Sequence, residues 1–360
     1  MTGWPTDRDR RTSPRSAGSW TSALDDDSAV FHAHAQVLFD ALRLRLRRGD
    51  NVVLCGFEDN NNVGDSAIYL ATIVLLRSLG VSIEASVPWM QSARMLPAFL
   101  RRDTRVVFVG GGNFGDVYPV LHRRRLEAVT AARGHLVIQL PVSTWFRDPV
   151  NVEHTADVLA THDDVVLFAR DQQSVERLAG VGLVPNLVPD TVAMLTAQPG
   201  EPDASAAPIL WLLRGDDESA IASPPREPGV EVSDWAQATE EHVARSGRFL
   251  ARLPDAAFRR LGVDSAQAMR LRGRFAFGAH GAVSRLRSEP GLEQIGRHRV
   301  VVTDRLHGHL LACLARRPNV IVENLDGKVG AYYETWSKEL GLTTKASGPR
   351  EASALARTLL

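Results

Sequence analysis

The chain has 360 residues, with 42 Lys and Arg balancing 42 Asp and Glu, so its formal charge is zero. That balance excludes a global field that draws nucleic acid or an anionic membrane, and leaves only local pockets of charge. The composition is that of a globular chain long enough for two domains, and its two cysteines, Cys55 and Cys313, lie in apolar runs as buried thiols, not as a disulfide framework or metal site.

Residues 1–28 are rich in Arg, Ser, Asp and Pro and lack an apolar run, so a flexible tail is expected there and not a secretory signal. No apolar stretch approaches the roughly 20 residues that span a bilayer, so no integral membrane segment is expected. The simplest placement is cytoplasmic, with peripheral contact at the inner face of the membrane left open. Residues 30–48 predict a helix with a basic end at Arg43, Arg45, Arg47 and Arg48. Strands are then expected at 51–57, 81–87, 105–109, 135–140 and 165–169, with helices at 66–79, 122–132 and 172–178. The run at 198–208, with three prolines and little apolar content, reads as a linker. Beyond it come a strand at 209–213, a largely helical middle, a strand at 299–303, a helix at 306–315 and a strand at 319–322. Strands alternating with helices mean parallel sheets. The expected architecture is α/β, with domains at 29–197 and 209–360 facing a cleft and ligands held at the carboxyl ends of the strands.

Five loops carry residues that do chemistry. Between the first strand and helix, Glu-Asp-Asn-Asn-Asn-Val-Gly-Asp spans 58 to 65. Asp65 stands where an N-cap belongs, but three consecutive asparagines exceed what a cap needs, so Asn62, Gly64 and Asp65 are candidates for ligand contact. The run Gly110-Gly111-Gly112-Asn113-Phe114-Gly115-Asp116 formally matches G-x-G-x-x-G. A nicotinamide enzyme places an acid at the end of the next strand, and here that strand ends Gln139-Leu140-Pro141. The glycines Gly111 and Gly112, with Asn113 and Asp116, therefore read as a close backbone approach to another ligand, or as a tight turn. Arg170, at a strand end, can hold a carboxylate or phosphate, or form a structural ion pair. In Thr-Asp-Arg-Leu-His-Gly-His at 303 to 309, Arg305, Leu306 and His307 open a helix whose positive end favours an anion; His309 reads as structural. Lys328, after the last of these strands, adds a point charge.

These segments, in this order, resemble the polysaccharide pyruvyltransferase family, and within it the exopolysaccharide ketal pyruvyltransferases. The matching stretches are 61–68, 110–116, 169–174, Pro189-Asp190, 303–309 and Lys328. The resemblance implies two Rossmann-like domains arranged as in GT-B glycosyltransferases. It implies phosphoenolpyruvate as donor substrate, with no cofactor or metal, and a sugar of a cell-surface polysaccharide or its lipid-linked precursor as acceptor. It places Arg170, Arg305, Leu306, His307 and Lys328 in the donor site. His307 is expected to be the general acid. Asp65, Asp116 and Asp190 remain alternatives for the base or for orienting the sugar. Acceptor contacts are expected to vary in 216–290, around Asp234-Trp235. A sugar-nucleotide glycosyltransferase is the alternative activity, and the oligomeric state, a homo-oligomer included, is left open.

Overall fold

Short apolar runs set the frame of the protein, whose computed structural model describes residues 20–196, 200–215, 219, 221, 227–235, 249 and 265–360. In β1 (Asn51–Phe57), Val52 and Leu54 enter one apolar cluster while Val53 and Cys55 enter another, all four fully buried. A strand with both faces buried needs helices on both sides, which is the condition of a parallel sheet. The chain meets it with α1 (Trp20–Arg43), α2 (Val63–Ser78), β2 (Ser82–Pro88), a one-turn α3 (Ser92–Met95), β3 (Thr104–Phe108), β4 (Gly111–Gly115), α4 (Pro119–Ala131), β5 (Val137–Trp145), α5 (Pro149–Ala160), β6 (Val165–Ala169), α6 (Gln172–Ala179) and β7 (Asn186–Leu187). These strands form one parallel sheet in the order β2-β1-β3-β5-β6-β7, with β4 also pairing β5.

A second parallel sheet follows, in the order β12-β11-β10-β8-β9. It is built from β8 (Ile209–Leu212), β9 (Val230–Ser233), α7 (Ala266–Arg297), β10 (Val300–Thr303), α8 (Leu306–Leu314), β11 (Asn319–Val322), α9 (Lys328–Tyr332), β12 (Thr343–Ala346) and α10 (Pro349–Thr358). Val301 faces the cluster that also holds Leu54, whereas Val300 and Val302 face a third cluster under α10. One apolar core thus runs through both sheets. The expected α/β class with helix-flanked parallel sheets is observed.

Several details differ from the sequence expectation. α1 starts at Trp20, inside the stretch expected to be a tail, and residues 1–19 lie outside the described residues. It ends at Arg43, so Arg45, Arg47 and Arg48 occupy the following turns. Residues 200–208 are irregular, and the Asp203 N–H donates to the Arg297 carbonyl at 2.9 Å; 197–199 are outside the described residues. The glycine string is not a strand-to-helix turn but β4, because β5 is long enough to pair β3 through Val137–Gln139 and β4 through Val142–Trp145. α7 lies on the C-terminal side of the expected boundary, yet packs on α2 and β2 of the first sheet. Small residues permit this: a Cβ on Gly291 would come within 2.5 Å of Val63. Buried thiols are found at Cys55 and Cys313. No helix among the described residues is long and apolar enough to cross a membrane.

Candidate active site

Strand ends from both sheets meet at one cavity of about 270 Å³. Glu58, Asn60, Asn62 and Asp65 follow β1; Gly112 and Asn113 lie in β4; Arg170 follows β6; Arg214 follows β8. Arg305, Leu306 and His307 follow β10, and Lys328 follows β11. This is where parallel sheets bind ligands, because the helix N-termini that follow such strands present unpaired N–H groups.

One wall is cationic. Arg170 is almost fully buried; its Nε donates to Ser143 Oγ at 2.8 Å and its Nη1 to Asp190 Oδ2 at 2.7 Å. His307 Nε2 lies 3.4 Å from Arg170 Nη1 and 3.5 Å from Asp190 Oδ2. Burial would push the Asp190 carboxyl up, but the hydrogen bond and charge of His307 and the charge of Arg170 outweigh it and hold Asp190 well below the usual carboxylate range. Asp190 therefore sits fully buried behind Arg170 and His307 and orients them, which leaves it no path to a sugar. Arg305 occupies the N-cap position of α8, pairs with Asp234 and lies 5.3 Å from the centre of the Trp235 ring. Asp304 holds the neighbouring loop by accepting from the Arg214 N–H at 2.9 Å and Ser219 Oγ at 2.8 Å. Leu306 is buried where α8 begins. Lys328 pairs with Asp326 and lies 5.9 Å from the Tyr118 ring centre. His309 turns away into the core, where its ring nitrogens meet Asn319 Oδ1 and Ser337 Oγ, each at 2.8 Å, as its structural reading required.

The facing wall carries carboxyls. Asn62, not Asp65, is the N-cap of α2: its Oδ1 accepts from the Gly64 N–H at 2.9 Å. Asp65 sits in the first turn, where the helix favours negative charge, and its Oδ2 accepts from Asn60 Nδ2 at 2.7 Å. Glu58 accepts from both Asn60 and Asn113. Asp116 is not brought to the cavity. Its carboxylate accepts from the N–H groups of Arg147 and Asp148 and from Asn151 Nδ2, fastening the start of α5, because the strand β4 carries it past the site.

The glycines have distinct reasons. Gly111 has φ +125°, which favours glycine. A Cβ on Gly112 would stand 3.2 Å from Arg170 Nη2 and 3.5 Å from Lys328 Nζ, so its absence keeps room between two cations. A Cβ on Gly64 would fall 2.5 Å from His307 Nδ1, so this glycine lets α2 of the first sheet touch α8 of the second. Gly64→Ala is expected to push His307 out of line with Asp190 and to cost about 1–3 kcal/mol. A melting curve and a turnover assay check it, and unchanged values in both would overturn this account of Gly64.

The sequence reading missed Glu58, Arg214 and Arg125. Glu58 and Arg214 stand just past strand ends, and that position was the available signal. Arg125 is buried beneath Asn113, with its guanidinium 4.4 Å from the Trp89 ring centre and 4.9 Å from that of Phe114. No local pattern separates it from its neighbours Arg123 and Arg124.

Fold and site together define an α/β protein with a pocket of clustered cationic side chains, faced by carboxyls, at the carboxyl ends of its strands. The profile of the polysaccharide pyruvyl transferase family matches residues 62–326, and the chain belongs to that family. Pyruvyl transferase 1 of Schizosaccharomyces pombe is 28% identical over 90% of this chain and 77% of its own length. A Bacillus subtilis protein named as the pyruvyl transferase EpsO is 24% identical over 76% of this chain and 82% of its own. A solved structure of an uncharacterised Klebsiella pneumoniae protein aligns over 90% of this chain and 98% of its own, at 15% identity and TM-score 0.49.

Proposed function

We propose that the protein moves the pyruvate unit of phosphoenolpyruvate onto two hydroxyls of a sugar in an exopolysaccharide or its lipid-linked precursor, forming a cyclic ketal and releasing phosphate. The observation that carries this reading is the meeting of Arg170, Arg305, Lys328 and His307 at the opening of α8, opposite Asp65, in one cavity. The donor bears a carboxylate and a phosphate, and fixed guanidinium and ammonium groups match both. The two sheets, with this cavity lined from each, fit a GT-B-like arrangement. Nothing in the chemistry asks for a cofactor, and the acceptor would be met at the inner face of the membrane.

The steps balance as follows. His307 gives a proton to C3 of the enol while a sugar oxygen bonds to C2, and Asp65 takes that hydroxyl's proton. The bond from C2 to the phosphate oxygen then breaks with its electron pair, and a neighbouring hydroxyl bonds to C2. The second hydroxyl's proton returns to His307, and the proton on Asp65 passes to the departing phosphate. Asp190 and Arg170 hold the imidazole throughout.

A thermal-shift titration with phosphoenolpyruvate tests the donor assignment. Saturable stabilisation is expected, about 2.7 kcal/mol at a hundredfold excess over Kd, and much less in Arg305→Ala. No shift with millimolar donor, together with a clear shift from a nucleoside diphosphate sugar, would replace the reading with a glycosyltransferase.

A further inference from the structure

The cationic pocket does not end at its carboxyl wall. Glu58, Asn60 and Leu121 also line a second groove of about 320 Å³, whose other walls include Phe57, Trp89, Met90 and His280. Phe57 and His280 stack there with ring centres 3.7 Å apart, and Met90 is exposed. An apolar groove with aromatic walls suits the carbon face of a saccharide, and the cationic pocket suits the donor anion. Glu58 stands where the two meet.

Its setting is built. One amide nitrogen, Asn60 Nδ2, lies 3.0 Å from Glu58 Oε2 and 2.7 Å from Asp65 Oδ2. Two acceptors on one nitrogen bring these oxygens within about 5 Å of each other. The other Glu58 oxygen accepts from Asn113 Nδ2. The orientation of that amide is set by Arg125, which donates to both the backbone carbonyl and the side-chain oxygen of Asn113. We propose that Glu58 is a second acid–base carboxyl of this pocket, linked to Asp65 through the Asn60 amide at the junction of the two cavities.

Burial and the charge of Asp65 push Glu58 up to about 8, against the hydrogen bonds from Asn113 and Trp89 and the charge of Arg125. On the same side, Asp59 is paired with Arg287 of α7 at 2.8 Å. On the far wall, Arg170, Arg214, Arg305, His307 and Lys328 supply the positive charge facing the pair. A like charge this close disfavours ionisation, so Glu58 keeps its proton near neutral pH. A doubly ionised wall would repel the donor anion; a singly ionised one spares it and still has a carboxylate to accept a proton. The inference rests on the pyruvyl-transfer reading: the pair takes the first hydroxyl's proton as the C2–O bond forms, and returns one proton to the phosphate as its bond to C2 breaks.

The test is a pH titration by NMR of the full chain carrying 13C at the glutamate Cδ, with no donor or acceptor added. One glutamate signal is expected to remain protonated at neutral pH and to titrate at about 8. Glu58→Asp, which keeps a carboxyl but removes the label, should delete that signal. Asp65→Asn should move its midpoint down by about one unit. A wild-type spectrum in which every glutamate is ionised at neutral pH would overturn the proposal, even if both variants fail to fold. So would survival of the late signal in Glu58→Asp. Because no donor is present, failure here and failure of the phosphoenolpyruvate titration are separate results.

Discussion

His307→Ala is expected to lower turnover by about 10²–10⁴-fold while leaving the fold nearly intact, since that is the usual worth of a positioned general acid. The imidazole lies at the cavity wall, and its removal leaves Asp190 still paired with Arg170 at 2.7 Å. The stability loss should therefore be near that of one hydrogen bond, about 1 kcal/mol. His307→Gln keeps a hydrogen-bonding side chain but has no proton to give, and should be as slow as the alanine variant. Phosphate release from phosphoenolpyruvate, measured beside a melting curve, checks both. A fully active alanine variant would remove His307 from the chemistry.

Arg170→Ala should act in the opposite sense, on stability first. Both partners of the Arg170–Asp190 pair are buried, with side chains 2% and 0% exposed. Removing the guanidinium strands a buried carboxylate, which costs about 3–5 kcal/mol. The pH dependence follows from the depressed carboxyl of Asp190. In the wild type, the stabilisation it gives is present above the ordinary carboxylate range and is lost only as pH falls below that range, through the lowered folded-state value. His307 still holds Asp190 down in the variant, which loses the part of the depression that Arg170 supplies, so the gap between variant and wild type should be widest at neutral pH and narrow as acid neutralises Asp190. Denaturant unfolding at neutral pH and at pH below the ordinary carboxylate range measures it, and a gap independent of pH would contradict the burial argument. The same variant should also lose the donor's stabilising effect, because Arg170 faces the cavity beside Gly112.

The central strands of both sheets were legible because residues buried on both faces leave continuous apolar runs, as at Val300-Val301-Val302. The junction at 303–309 was legible because a helix opening with Arg-Leu-His has no use for those charges in a core. Elements with little apolar content escaped: β12, Thr343–Ala346, and α10, Pro349–Thr358, bury only a narrow stripe. Asp65 was taken for the cap because the helix was expected to start later, and Asn62 took that role when it began at Val63. Asp116 was placed with the site because a glycine string reads as a turn, whereas here it continues a sheet. Pairings such as Arg305 with Asp234, or Glu58 with Asn113, join positions far apart in the chain, and no local pattern announces them. About half of the stretch in which acceptor contacts were expected to vary lies outside the described residues, whereas the groove beside Glu58 is lined from the first sheet, the loops that follow it, α4 and α7.

The position of α7 also matters while the protein is being made. The helix that covers α2 and β2 is encoded only after β8 and β9, the first two strands of the second sheet, so the first sheet emerges from the ribosome with part of its apolar surface bare. That surface stays open until residue 297 has been synthesised and the helix can dock. A nascent chain in this state is a natural client for holding chaperones, and a fragment ending near residue 208 should be prone to aggregate. Splitting this protein into separately expressed halves would therefore separate a sheet from its own cover.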